Sequence, residues 1–152
     1  MNEDVRQWMD QDRWSVVQGT AQSVPFVLRF REPALLPTDR VDYARCLRVV
    51  WAFDGEGSGA MPHPSVSSEM EVFEDRLCAA WEGDGLAVLT GVLTFDGARQ
   101  WVFYTSDVSE CGERLATMPQ ESAPYPIELD AFDDPTWHYW RNEIVGERGE
   151  TP

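Results

Sequence analysis

Apolar and polar residues alternate along several short runs of the chain, and this period of two predicts β-strands that bury one face. In residues 25–32 the apolar Phe26, Leu28 and Phe30 alternate with a valine and two arginines. One face of this strand is therefore expected to be buried and the other to be largely exposed to solvent. A second β-rich run at residues 13–18, with a polar turn between the two, predicts an opening β-hairpin.

A helical period replaces the strand pattern after residue 63. Five apolar residues recur every three or four positions and form one stripe: Val66, Met70, Phe73, Leu77 and Trp81. The opposite face is acidic, and the helix is expected to begin at Pro64, with Ser65 or Ser68 as its N-cap. Gly83 follows the last apolar residue, which is typical of a helix end.

The strongest local signal is a pair of β-rich runs, residues 86–95 and 98–105, joined by Asp96-Gly97. A two-residue Asp-Gly connection predicts a tight hairpin, in which position 95 pairs with 98 and position 89 pairs with 104. Both faces of this hairpin are apolar. We therefore expect helices to cover one side of the sheet, and the N-terminal hairpin, a C-terminal helix or a second subunit to cover the other.

The remaining runs complete an α+β order. A β-rich run occupies residues 43–53, a second helix capped by Ser106 or Asp107 is predicted over residues 108–117, and a strand follows at residues 125–129. From residue 43 onward the order is strand, helix, strand, strand, helix, strand. This order predicts a ferredoxin-like split βαβ antiparallel sheet, with an added N-terminal β-hairpin.

A C-terminal helix is predicted after this sheet. Asp133 or Asp134 can cap it, Pro135 suits its first turn, and Trp137 and Trp140 follow at helical spacing.

One domain is expected from the length of the chain. Residues 1–12 are polar and are expected to form a flexible N-terminal segment or a short helical lead-in. Residues 13–145 are expected to form a single α+β domain, and residues 146–152 a C-terminal tail.

The chain has 152 residues, no lysine, and a formal net charge of −15 from 27 acidic and 12 basic residues. Without a lysine amine, Schiff-base chemistry and a Walker-type phosphate site are excluded. The acidity argues against nucleic acid as a partner, because phosphate neutralisation supplies most non-specific affinity. The arginines lie mostly on predicted strands, where guanidinium groups can pair with carboxylates across the sheet, at positions 29, 31, 45, 48 and 99.

The expected location is the cytoplasm, without membrane attachment. The first residues contain no apolar segment typical of a secretory signal, and no run reaches the roughly 18 apolar residues of a membrane span. Three cysteines, an odd number without a C-x-x-C pair, are typical of reduced thiols. Cys46 and Cys78 are expected in or near the core, and Cys111 in a more exposed position.

No motif assigns a reaction, a cofactor or a metal ion. His63 and His138 have no second histidine at ligand spacing, and neither a nucleophile elbow nor a phosphate loop occurs. His138 could act as a general base, since Asp134 precedes it by four residues and could orient its ring. The alternative is a histidine at the surface or in an aromatic cluster. The sequence therefore gives no positive sign of an enzyme.

Three segments carry a resemblance to a known family. They are Trp14-Ser-Val-Val-Gln-Gly near the start, Thr-Phe-Asp96-Gly97-Ala-Arg-Gln-Trp-Val-Phe-Tyr104 in the hairpin, and the ending Asp133-Asp134-Pro135-Thr-Trp137-His-Tyr139-Trp140. Over residues 14–144 the chain resembles the bacterial family called domain of unknown function 695. Family members are sometimes joined to a domain similar to the acidic protein inhibitor of ribonuclease E, so the resemblance implies a regulatory association. It implies no catalytic residues.

The charge favours an acidic protein-binding or regulatory module that binds a basic protein partner, because a strong negative field steers such a partner to the surface. The acidic face of the helix at residues 66–81 and the segment at residues 130–134 would supply the charge. Trp137 and Trp140 would supply aromatic anchors.

Two alternatives stay open. One is a small-molecule-binding protein or an unrecognised enzyme, with an aromatic pocket between the sheet and the C-terminal helix. Its lining would be Trp101, Tyr104, Trp137 and His138, with Asp134 beside them. The other is a homodimer whose open sheet faces pack together, with the function residing elsewhere.

Overall fold

A computed structural model describes residues 3–33, 42–53, 61–119 and 125–146 of the chain. The elements follow in the order α1 (Glu3–Gln11), β1 (Trp14–Ala21), β2 (Val24–Arg31), β3 (Arg45–Ala52), α2 (Pro64–Trp81), β4 (Ala87–Phe95), β5 (Ala98–Thr105), α3 (Val108–Thr117) and β6 (Ile127–Asp133). A short π-helix (Trp140–Val145) closes the described part and is called here the C-terminal π-helix.

The described strands form one six-stranded sheet in the order β1-β2-β4-β5-β3-β6, and every neighbouring pair is antiparallel. The predicted α+β class is confirmed. The N-terminal hairpin extends the sheet sideways, because β2 pairs with β4. The predicted strand at residues 125–129 is observed later in the chain, as β6 over Ile127–Asp133.

Helices cover both sides of the sheet. On one side, called here the α2 face, α2 and α3 pack over a core that includes Trp51, Phe73 and Trp101. On the other side, the α1 face, α1 and the C-terminal π-helix enclose a second core that includes Trp8 and Trp140. The C-terminal helix, one of the elements expected to cover the second side, therefore does cover it, together with the N-terminal helix α1.

Residues Glu3–Gln11, expected to be a flexible segment or a helical lead-in, form helix α1. Val5 and Trp8 project from it into the core of the α1 face and are buried. The lead-in is therefore part of the packed structure. The domain boundaries at residues 12 and 145 stay a prediction, and the expected tail lies outside the described residues except for Gly146.

Both predicted central helices are confirmed, with one change of cap. The apolar stripe of α2 buries Met70, Phe73, Leu77 and Trp81. Its N-cap is His63 and not a serine: the Ser65 backbone N–H donates to the imidazole Nδ1 at 3.1 Å. In α3 the predicted Asp107 cap accepts from the Glu110 backbone N–H at 3.0 Å.

The Asp96-Gly97 hairpin is confirmed near its turn, where Phe95 pairs with Ala98. Further along, the predicted pairing of position 89 with 104 is wrong, because the register shifts between Leu89 and Gly91. This β-bulge at Thr90 moves Leu89 opposite Phe103, so Leu89 joins the core of the α2 face. Because of this one extra residue, the side chains in the first part of β4 lie on the opposite face of the sheet from the one that the predicted pairing implies.

Side chains bind backbone groups of Leu89 and Thr90 at the bulge. The Arg31 Nε donates to the Leu89 carbonyl at 2.7 Å, and the Glu82 carboxylate accepts from the Leu89 N–H at 2.8 Å. The Thr90 carbonyl accepts from the indole N–H of Trp140 at 2.9 Å. The bulge therefore connects α2, β2 and the C-terminal π-helix to one strand.

This arrangement corrects the expectation that the arginine side of β2 is largely exposed. Arg31 is only 4% exposed, and its guanidinium lies 3.5 Å from carboxylate oxygens of Glu82 and Asp12. Burial is tolerated because the charge is paired and hydrogen-bonded.

Gly91, next to the bulge, allows the C-terminal π-helix to approach the sheet. A Cβ atom at this position would lie 2.8 Å from Cγ2 of Ile144, whose side chain is buried. We therefore expect Gly91→Ala to lower the free energy of unfolding by about 1–3 kcal/mol through overpacking. Denaturant titration followed by tryptophan fluorescence measures the change.

Gly112→Ala is the matched control. Gly112 lies in α3, and a Cβ there would meet no atom within 4 Å. This variant should be neutral or more stable by about 0.5–1 kcal/mol, because alanine favours the helix. Equal destabilisation of both variants would contradict the close approach at Gly91.

Candidate functional site

The structure brings together four of the six predicted site residues. Tyr104, Asp134, Trp137 and Trp140 are all buried on the α1 face. Trp101 lies on the opposite side of the sheet, in the core of the α2 face, so it does not line a pocket with Tyr104. His138 is exposed.

Asp134 organises the start of the C-terminal helix, but it is not the predicted N-cap. Pro135 lies in a turn before the helix, Trp137 has a positive φ of 59°, and the N-cap of the π-helix is Tyr139, which makes no side-chain cap hydrogen bond.

The Asp134 carboxylate accepts from the backbone N–H groups of His138 and Tyr139, both at 2.8 Å. It also accepts from the Tyr104 hydroxyl at 2.7 Å, and that hydroxyl accepts from the Trp140 N–H at 3.2 Å. Burial raises the pKa of Tyr104 far above its usual value, so this hydroxyl stays a hydrogen-bond donor.

The predicted aromatic anchors are instead core residues. Trp137 stacks on Tyr104 with ring centroids 4.4 Å apart, and Trp8 of α1 lies 5.6 Å from Trp137 and 5.5 Å from Trp140. The Trp137 indole N–H donates to the Tyr43 carbonyl at 2.7 Å. Both Trp137 and Trp140 are fully buried, so neither is available at the surface to a partner protein.

The proposed base at His138 does not have the expected partner. Asp134 accepts from the backbone N–H of His138, and the imidazole ring instead contacts the Asn142 amide on the exposed side of the helix, at 2.6 Å. The His138 ring therefore lies at the surface, as in the alternative interpretation of this residue.

A polar cleft lies on the α2 face, between α2 and the added strand β2, and is called here the α2–β2 cleft. Its volume is about 480 Å³. Residues from β2, β4 and β5 form its floor, and α2 forms one wall. Its charged lining consists of two arginines and three acidic residues: Arg29, Arg99, Glu71, Glu74 and Asp75.

Arg29 is held at the edge of this cleft. Its guanidinium donates to the Glu74 carboxylate at 2.6 Å and lies 5.1 Å from the ring of Trp14. The same Glu74 oxygen accepts from the indole N–H of Trp101 at 2.8 Å. Trp101, predicted as a binding residue, thus positions a carboxylate of the cleft wall without entering the predicted aromatic pocket.

Arg99 differs from the other strand arginines. Its Nε donates to the Thr94 hydroxyl at 2.8 Å, and within the described ranges no carboxylate oxygen lies in ion-pair distance of it. Burial lowers its pKa, and this effect exceeds the opposing effects of Glu74 and Glu71. The floor of the cleft therefore holds a positive charge that the protein compensates incompletely.

The expected pairing of strand arginines with carboxylates is confirmed at two cross-strand positions. Arg45 pairs with Asp133 at 2.8 Å and Arg48 pairs with Asp130, each opposite its partner in the β3–β6 ladder. Arg29 pairs with Glu74, which lies in α2, and Arg31 pairs with Glu82, which directly follows α2. The strand pattern could not indicate these pairs, because neither acidic residue lies on a strand.

Among the residues that the structure describes, no group of three or more histidine, cysteine or acidic side chains is arranged to hold a metal ion. No helix in this part of the chain has both the length and the apolar character needed to cross a membrane.

The chain belongs to the family of unknown function DUF695, whose model matches residues 12–143. The resemblance stated from the three sequence segments is thereby confirmed. No curated protein and no solved structure was found to match the chain.

Asp134 and its neighbour Asp133 offer a matched test of the buried Asp134 acceptor. We expect Asp134→Ala to lower the free energy of unfolding by about 2–4 kcal/mol, because two helix N–H groups and the buried Tyr104 hydroxyl lose their acceptor. Asp133→Ala removes a carboxylate that is 83% exposed and should cost less than about 1 kcal/mol. Denaturant titration measures both losses of stability, and equal losses would contradict the role of Asp134 as a buried acceptor.

The three cysteines are expected to be unreactive in the folded protein. Burial raises the pKa of Cys46 to about 12 and also raises those of Cys78 and Cys111. Cys111, expected to be more exposed, is buried on the side of α3 that packs into the core of the α2 face. At neutral pH a chromogenic disulfide reagent should react slowly with the native protein and with all three thiols after denaturation. Fast reaction of one thiol per chain in the native protein would contradict this expectation.

Proposed function

We propose that the protein is an acidic protein-binding or regulatory module that binds a basic partner protein. One observation carries the proposal: five arginines pair with carboxylates of the chain itself, which leaves few basic groups to offset the exposed acidic side chains. The arginines that pair with carboxylates in the described residues are Arg29, Arg31, Arg45, Arg48 and Arg114.

The outward side of α2 is the surface that best fits this role. Glu69, Glu71 and Asp75 are exposed there and make no ion pair within the described part of the chain. Val72 lies among them and is 45% exposed. The single basic residue of α2, Arg76, donates to the Tyr125 hydroxyl at 2.5 Å.

An acidic surface with an exposed valine matches a basic partner that also presents an apolar contact. Charge complementarity would steer the encounter, and desolvation of the apolar contact would add affinity. This surface replaces Trp137 and Trp140, whose burial removes them from the role of anchors.

We further propose that the fold is of the ferredoxin-like split βαβ type. The support is the order of four strands, β4-β5-β3-β6, together with α2 and α3 on one face. Within this proposal, the β1–β2 hairpin is an addition at the β4 edge. A cytoplasmic location remains part of the proposal and is supported by the three free thiols.

The proposal is tested by capture of partners on the immobilised protein at low and at physiological salt, followed by titration with each purified candidate. The expected partner is basic and binds more weakly at the higher salt, because exposed charges are screened beyond about 8 Å. The triple variant Glu69→Gln, Glu71→Gln, Asp75→Asn should weaken its binding about tenfold or more.

The control variant removes three exposed acidic groups elsewhere, by Asp10→Asn, Asp42→Asn and Glu113→Gln. It has the same net charge as the first variant, so a general field effect would weaken binding equally in both. Equal weakening, or recovery of no basic partner at either salt concentration, would contradict binding at the α2 surface.

A further inference from the structure

The α2–β2 cleft has a mixture of charges that neither a simple anion nor a simple cation satisfies. Glu74 neutralises Arg29 within the cleft, which leaves Arg99 on the floor and Glu71 and Asp75 on the wall. A phosphate dianion would approach Arg99 but would face two carboxylates without compensation. A plain cation would meet the carboxylates and be repelled by the floor.

A molecule with one group of each sign fits this lining. We propose that the α2–β2 cleft binds a free α-amino acid, with its carboxylate on Arg99 and its ammonium group on the Glu71 and Asp75 carboxylates. Arg99 is preorganised for this role because Thr94 already fixes its Nε, while no carboxylate of the described residues occupies its other donors.

The size and the remaining lining agree with such a ligand. The volume of about 480 Å³ lies within the range of small-molecule sites, roughly 300–1,000 Å³. Val27 and Val92 add apolar surface beside the charged groups, so a small aliphatic side chain has a place to pack.

The cleft shares Glu71 and Asp75 with the proposed outer surface of α2, but Arg99 and the floor of the cleft take no part in that surface. Arg99→Gln therefore affects binding of the amino acid and leaves the surface for a basic protein unchanged. Either proposal can fail without the other.

The first experiment screens the twenty common amino acids, one at a time and at millimolar concentration, against the full chain by calorimetry. For each amino acid that binds, the N-acetyl derivative removes the ammonium charge and the amide removes the carboxylate charge. Both derivatives should bind roughly tenfold to a hundredfold more weakly than the parent, the loss expected for a charge-assisted hydrogen bond.

The second experiment assigns the binding to the cleft. Arg99→Gln and Glu71→Gln should each weaken binding of the parent amino acid by roughly tenfold or more. Arg141→Gln and Glu69→Gln are the matched controls, since each removes an equal charge from an exposed side chain outside the cleft and should leave the affinity unchanged.

If Arg99→Gln fails to fold, Glu71→Gln and the two ligand derivatives decide the question, because Glu71 is exposed. The proposal is overturned if no amino acid binds, if the N-acetyl derivative binds as well as its parent, or if Glu71→Gln or a folded Arg99→Gln variant retains full affinity.

Discussion

The β-bulge at Thr90 is the constraint on which the two faces of the sheet depend. One extra residue in β4 sends Leu89 to the α2 face and Val88 to the α1 face, so each core receives the side chain that fits it. Backbone groups at the bulge are bound by Arg31 and Glu82 on one side and by Trp140 on the other. Without these partners the buried polar groups would be unsatisfied, which strongly disfavours a folded state.

The lack of lysine has a structural counterpart in these contacts. The planar guanidinium of Arg31 donates to the Leu89 carbonyl and lies beside two carboxylates, while Arg48 bonds Asp130 and the Tyr139 hydroxyl. A lysine ammonium lacks this fixed fork of donors. Basic residues therefore serve largely to connect elements of this fold, and most of the exposed charge is acidic.

Local patterns in the sequence predicted the elements that depend on local physics. The stripe of α2, the Asp96-Gly97 turn and the Asp107 cap need only a period, a turn type or a capping side chain. The bulge could not be predicted this way, because Thr90 continues the β-rich run and its extra position shows only in the pairing with β5. The separation of Trp101 from Tyr104, by contrast, follows from local geometry: three positions apart on β5, the two side chains lie on opposite faces of the sheet and cannot line one pocket.

The candidate cleft was harder still to foresee. It exists because β2 pairs with β4 and brings Arg29 beside α2, a contact between residues 45 positions apart. The sequence indicates that Arg99 is a strand arginine able to pair across the sheet, but its lack of a carboxylate partner among the described residues depends on three-dimensional placement. An arginine that lacks the expected carboxylate partner is therefore a better indication of a binding site than an arginine that has one.

The meeting of Trp8 with Trp137 and Trp140 has a consequence for how the molecule folds. The core of the α1 face joins the first and last elements of the described chain, with ring centroids 5.5–5.6 Å apart. It can be completed only after the polypeptide has closed a loop across nearly its whole length, a contact of high entropic cost. The α1 face should therefore assemble late, during synthesis on the ribosome as well as in refolding, once the C-terminal tryptophans have emerged.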